Sequence, residues 1–214
     1  PTGGTLPYAI TWSNGDTGTV ADSLIAGTYQ VTIVDGNNCS FDSTIIITAP
    51  SALASSFVNY ATTPGGTDIA CFGQTTGQAK VTVTGGTFPY TYSWSNGATV
   101  DSIINVGAGT YTVTVTDDNG CVQILTDTIT QPAVLANTPN IRNVACKGES
   151  SGFIIANVAG GSPAYSYAWT PNISTNDSAY LIPAGFYSLT ITDLNGCTRI
   201  DTVTITEPDT LVPL

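Results

Sequence analysis

With 214 residues, the chain has room for one to three compact domains, and 42% apolar residues can build real cores. Four basic residues (Lys80, Arg142, Lys147, Arg199) face fifteen acids, and the net charge of -11 argues against nucleic acid and anionic membrane surfaces, both of which reward clustered Lys and Arg. No apolar run reaches the roughly 18 residues of a membrane span, and the amino terminus has no signal-peptide pattern, so direct membrane insertion of this segment is not expected.

Three phrases recur in fixed order along the chain. The first set is PYAITWSNG (7–15), AGTY (26–29) and a phrase ending at Cys39; the second is PYTYSWSNG (89–97), AGTY (108–111) and YTVTVTDDNGC ending at Cys121. The third is PAYSYAWTPN (163–172), AGFY (184–187) and a phrase ending at Cys197. From tryptophan to cysteine the spacing is 27, 27 and 28 residues, and each set closes on ITAP, ITQP or ITEP. These landmarks place a truncated repeat at 1–50, complete repeats at 51–132 and 133–208, and the start of another at 209–214, a window on a longer array.

Within a repeat the period is two. Tyr111, Val113 and Val115 share one face while Thr110, Thr112, Thr114 and Thr116 share the other, as in a strand with one wall buried and one wet. Tyr90, Tyr92 and Trp94 alternate in the same way. No segment has a sustained helical period, and turn signals fall every 8 to 12 residues. The expected fold class is all-β: tandem immunoglobulin-like antiparallel β-sandwich repeats of about seven strands each. Trp12, Trp94 and Trp169 are the expected core tryptophans of the third strand. Tyr29, Tyr111 and Tyr187 stand where a tyrosine corner would form. Two residues on, where antibody domains place a cysteine, are Val31, Val113 and Leu189, so the antibody inter-sheet disulfide is absent.

Five cysteines without a histidine do not resemble a zinc site and fit an exported, disulfide-forming protein. Each complete repeat has one cysteine before its second strand and one after its hairpin. If four alternating strands separate them, both sulfurs return to one end, giving Cys71–Cys121 and Cys146–Cys197, with the partner of Cys39 outside the fragment. The rival scheme joins neighbours, Cys39–Cys71 and Cys121–Cys146. Counting alone leaves both schemes open, and strand parity favours the first.

The combined pattern CFGxxxGxAxVxVxGGxxPYxYxWSNG, then AGTYxVTVTDxNGC, then ITQP resembles the SprB repeat of giant surface adhesins in gliding bacteria, and more distantly PKD-type immunoglobulin-like domains. The match runs almost throughout from Cys71 to Pro132 and more loosely through the third repeat. The resemblance implies a secreted, cell-surface adhesin or filament exported by type IX machinery and, in some members, carried along the surface during gliding. Repeats of such an array act as stalk, with neighbouring repeats of the same chain as partners and a surface polysaccharide or other adhesion target beyond them. A carbohydrate- or protein-binding module of a secreted multidomain protein, or a self-assembling fibre subunit, is the alternative.

Seven of the thirteen aspartates begin an Asp-Ser/Thr-apolar tripeptide, similar to the O-glycosylation signal of the same bacterial group. Ser23, Ser43, Ser102, Thr128, Ser178, Thr202 and Thr210 are therefore candidate glycan acceptors, set against the ordinary use of Asp-Ser/Thr at strand ends. Asp117-Asp118-Asn119 offers three oxygens to calcium, but only one carboxylate of this loop recurs between repeats, so a turn is preferred and no cofactor is expected. Without histidine there is no Ser-His-Asp or Cys-His arrangement, the acids are scattered, and the Gly-Gly pairs lack a phosphate-loop ending. No enzyme activity is expected.

Overall fold

The alternation of β-branched and polar residues becomes strand wherever it occurs. The computed structural model describes residues 1–58, 60 and 62–210, and every regular element among them is a β-strand. The chain divides into two compact units, Pro1–Ala52 and Leu53–Leu214. The first unit holds β1 (Ala9–Trp12), β2 (Gly27–Val34) and β3 (Ser40–Ile47) in one antiparallel sheet of that order. Val31 is its buried residue.

The second unit contains two repeats in succession. The earlier one has β4 (Ala54–Phe57), β5 (Gly77–Thr84), β6 (Thr91–Trp94), β7 (Ser102–Val106), β8 (Gly109–Thr116) and β9 (Val122–Ile129). Sheet β4-β5-β7 faces sheet β6-β8-β9. This is an immunoglobulin-like sandwich of three strands on three, one strand fewer than the expected seven. The reason is length: only residues 95–101 join β6 to β7. They are consumed by a turn in which Gly97 N–H donates to Trp94 O and the Trp94 indole N–H to Val100 O, at 2.9 and 2.8 Å.

The later repeat follows the same plan with β10 (Ala133–Asn137), β11 (Asn140–Arg142), β12 (Gly152–Ile155), β13 (Val158–Gly161), β14 (Ser166–Thr170), β15 (Ser178–Ile182), β16 (Gly185–Thr192) and β17 (Thr198–Ile205). Its first two strands are each broken in the middle, so β10 pairs β13 while β11 pairs β12. Pro139, which has no N–H to give a ladder, sits in the first break.

The cores follow the alternation. Val113 and Val115 are fully buried with Trp94, Val81, Ile103 and Ile129, and Trp169, Tyr187, Leu189 and Ile191 build the matching core of the later repeat. Burying each such aliphatic side chain contributes roughly 1.5–3 kcal/mol. On the outer face the threonines pair across strands, Thr112 with Thr126 and Thr110 with Thr128, at 3.0 and 3.3 Å between hydroxyls. Tyr29, Tyr111 and Tyr187 each donate a hydroxyl hydrogen bond to the carbonyl four residues earlier, on Ile25, Gly107 and Pro183, which makes each a tyrosine corner. Burial raises the Tyr187 phenol above its ordinary pKa.

Strand direction decides where the cysteines go. Gly77 opposes Val106 and Thr91 opposes Thr116, so β5 and β8 run one way along the sandwich and β6, β7 and β9 the other. Because the missing strand would have lain between them, β6 and β7 run in the same sense. Four strands do separate Cys71 from Cys121, but one connection does not reverse the chain. Ile69 N–H donates to Thr130 O beyond the far end of β9, while Cys121 immediately precedes its first residue. The two cysteines are at opposite ends of a sandwich about 25 Å long, from eight residues of strand.

Candidate functional site: the inter-repeat clasp

Cys71 is bonded to Cys197, with Cα atoms 5.6 Å apart and a sequence separation of 126. This corrects both pairings expected from sequence. Cys71–Cys121 and Cys146–Cys197 fail because strand parity is broken; Cys39–Cys71 fails because Cys71 is taken by Cys197, and Cys121–Cys146 because those two lie at the ends of their repeats away from the junction. The chain leaves the earlier repeat at the Cys71 end and enters the later one near its hairpin, so the bridge runs from an opening cysteine to the hairpin cysteine of the following repeat. Cys39, Cys121 and Cys146 are free thiols and exposed.

The hairpin half of the clasp is built identically three times. Asp193 accepts hydrogen bonds from the backbone N–H groups of Ser162, Asn195 and Cys197 at 2.8, 3.0 and 2.9 Å. Asp117 does so from Thr87, Asn119 and Cys121, and Asp35 from Thr5, Asn37 and Cys39. The N–H donors stabilise the ionised carboxylate. They hold Asp117 below its ordinary pKa, chiefly through Thr87, and Asp35 likewise, chiefly through Cys39. The residue before each cysteine has positive φ: 62° at Asn38, 80° at Gly120 and 82° at Gly196, which is why only Asn or Gly occurs there.

Asn195 is the contact residue. Its amide nitrogen is 2.8 Å from Ser162 Oγ in its own repeat and 3.0 and 3.3 Å from Ala70 O and Thr63 Oγ1 in the preceding one. Its amide oxygen accepts from Gly65 N–H at 3.1 Å, and the Cys197 sulfur is 3.3 Å from Ala70 O. Gly65 approaches so closely that a Cβ there would lie 2.1 Å from Ser162 Oγ. Sequence reasoning missed both residues. The available signal was the recurrence of Asp and Asn four and two places before each hairpin cysteine (35 and 37, 117 and 119, 193 and 195).

Both Asp117 oxygens accept hydrogen bonds from backbone N–H groups, and Asp117-Asp118-Asn119 forms the turn of the hairpin. No cluster of three or more His, Cys, Asp or Glu occurs among the described residues. Trp94 and Trp169 are buried, as is Tyr187; Tyr111, Trp12 and Tyr29 are half-buried. Of the candidate glycan acceptors, Ser23, Ser43, Thr128, Thr202 and Thr210 are exposed, whereas Ser102 and Ser178 are half-buried. The two sets are not gathered: Ser43, Thr128 and Thr202 lie on hairpin strands, and Ser102 and Ser178 open β7 and β15.

The SprB repeat family model matches twice, at residues 66–99 in the earlier repeat and 138–172 in the later one. No curated protein matches the chain in sequence. Among solved structures, the chain is similar to the N-terminal eight Ig domains of Down Syndrome Cell Adhesion Molecule, with 14% identity and a TM-score of 0.42 over 94% of this chain and 33% of that one. It is also similar to a Ca2+-stabilised adhesin that helps an Antarctic bacterium reach out and bind ice, with 16% identity and a TM-score of 0.39 over 94% of this chain and 64% of that one. In both cases the chain spans less than two thirds of the length of the structure it matches.

Proposed function

We propose that this chain, which carries two SprB repeats, is a stalk segment of a repetitive extracellular adhesin or surface filament, and that its work is to span distance and bear tension. The observation that carries this reading is the Cys71–Cys197 bridge, which ties one sandwich covalently to the next at the end where the chain passes between them. A free-standing binding module needs no such tie. An array under shear does, because a bridge of this kind turns two beads into one mechanical unit.

The surface suits that role. Paired threonines on the outer faces and a net charge of -11 keep long arrays soluble and discourage pairing between sheet edges. In a gliding cell the stalk would be the part moved along the surface after export. The five exposed Asp-Ser/Thr acceptors would carry O-glycans, with Ser102 and Ser178 occupied less.

A glycan array probed with the whole chain tests the reading. No specific binding is expected, and selective capture of a carbohydrate at millimolar affinity or better would replace the stalk with a carbohydrate-binding module. Glycosylation is tested by the intact mass of the protein from its native source, which should exceed that of the bare polypeptide.

A further inference from the structure

The three thiols outside the bridge occupy positions that the bridge itself defines. Cys121 and Cys39 end hairpins with the same Asp anchor as Cys197, and Asn119 and Asn37 already bond Thr87 and Thr5 as Asn195 bonds Ser162, at 2.8, 2.9 and 2.8 Å. Cys146 follows Ala145 as Cys71 follows Ala70. Beside it is an open hollow of about 390 Å³ lined by Ala145, Cys146, Lys147, Pro208, Asp209 and Thr210. Those residues are the counterparts of Ala70, Cys71, Phe72, Pro132, Ala133 and Val134, and at Ala70 and Cys71 the corresponding place receives the Asn195–Cys197 hairpin.

We infer that Cys146 and its hollow are the socket, and Cys39 and Cys121 the plugs, of further clasps of the Cys71–Cys197 kind, each joining this chain to another repeat of the same type. The inference rests on the reading of the chain as an array segment. Each closure is a thiol–disulfide exchange with a small external disulfide such as oxidised glutathione. One protein thiolate attacks it and releases one thiol; the second protein thiolate then displaces the other, so two protein thiols are oxidised and one disulfide is reduced to two thiols.

The consequence is mechanical. The loop from Cys71 to Cys197 encloses both Cys121 and Cys146, so successive clasps interleave. Followed along covalent bonds, an array then enters at one hairpin cysteine, runs only from Cys121 to Cys146, and leaves through the next bridge. Those 25 residues span about 85 Å at full extension, close to the length of two folded sandwiches with their loops. The array would be inextensible even if its sandwiches unfolded.

The test is the whole chain extended by a second copy of residues 133–208 placed after Pro208, oxidised in a glutathione buffer and mapped by peptide mass spectrometry under non-reducing conditions. Cys146 is expected to bond the hairpin cysteine of the added repeat, beside an intact Cys71–Cys197 bridge. The Thr63–Gly65 loop has no counterpart before Cys146, because Cys146 comes only 11 positions after Leu135, whereas Cys71 comes 18 positions after Leu53. Loss of its two hydrogen bonds should leave the new clasp about tenfold to a hundredfold easier to reduce than Cys71–Cys197. A free Cys146, or one bonded to any other cysteine, beside an intact Cys71–Cys197 would overturn the inference and leave the stalk reading standing. Failure of Cys71–Cys197 itself to form would sink both.

Discussion

Stretching the molecule by its ends gives a sharp prediction. With the Cys71–Cys197 bridge closed, a stretch with a sequence separation of 126 lies inside a covalent loop that tension cannot open. The fully extended chain of 214 residues would measure about 710–770 Å, and the bridge hides about 420–450 Å of that. Single-molecule force spectroscopy on the oxidised protein should therefore end at a contour length of about 290–320 Å. Adding a reductant, or substituting Cys71→Ser, should restore the full length, with the hidden length of about 420–450 Å released as the rest of the two sandwiches unravels once β4 and β17 have been pulled away. The opposed pairing, Cys71–Cys121 with Cys146–Cys197, would hide the interior of each repeat separately and leave the 25 residues from Cys121 to Cys146 extensible. If the oxidised chain reaches its full length, or gains length at the junction while each repeat stays closed, the assignment of the bridge and the mechanical argument built on it are wrong.

Thermal stability should report the same bridge. If one repeat unfolds while its neighbour stays folded, the bridge closes a loop of about 60–65 residues, worth about 4 kcal/mol in the chain-entropy model, so Cys71→Ser should lower both melting transitions by at least about 10 °C in calorimetry. Gly65→Val would drive a side chain into Ser162 and Asn195. Slower formation of Cys71–Cys197, with unchanged melting of the reduced protein, is the expected result. Tyr111→Phe removes the corner hydrogen bond to Gly107 and should cost about 1 kcal/mol, roughly 4–8 °C in the earlier repeat. Asp117 and Asp35 are held below the ordinary carboxylate pKa of 3.8, so their contribution is fully present above that value and is lost as pH falls below it. Melting temperature should be flat from about pH 5 to 7 and decline below about pH 4, and Asp117→Asn should flatten that acid limb.

The strands and their faces were legible because they depend on local alternation. YTVTVT places Val113 and Val115 inward whatever surrounds it, and the positive φ of the residue before each hairpin cysteine is written as Gly or Asn. The tyrosine corner was legible for a similar reason, since the hydroxyl reaches a carbonyl only four residues away. The clasp was not. Its pairing depends on the direction of every strand between the cysteines, and seven residues between Trp94 and Ser102 were enough to remove one strand and spoil the parity. Asn195 was hidden because its partners, Ala70, Thr63 and Gly65, lie in another repeat and at least 125 residues away.

The placement of the buried residues also orders the events by which the clasp forms. One core is built wholly from residues between Phe57 and Ile129, and the other wholly from residues between Leu135 and Ile205. Neither needs the bridge to fill it. Each hairpin is likewise anchored within its own repeat, Asp193 to Ser162 and Asp117 to Thr87, before it meets a neighbour. The plug is thus rigid when it docks, and little conformational entropy remains to be lost at the junction. Folding of each sandwich should therefore precede oxidation. The reduced protein should keep native strand content and two folded repeats while hydrogen exchange at Ala70, Gly65 and Asn195 rises selectively. Were exchange to rise throughout both cores instead, the bridge would be part of the fold itself and not a fastening added to finished parts.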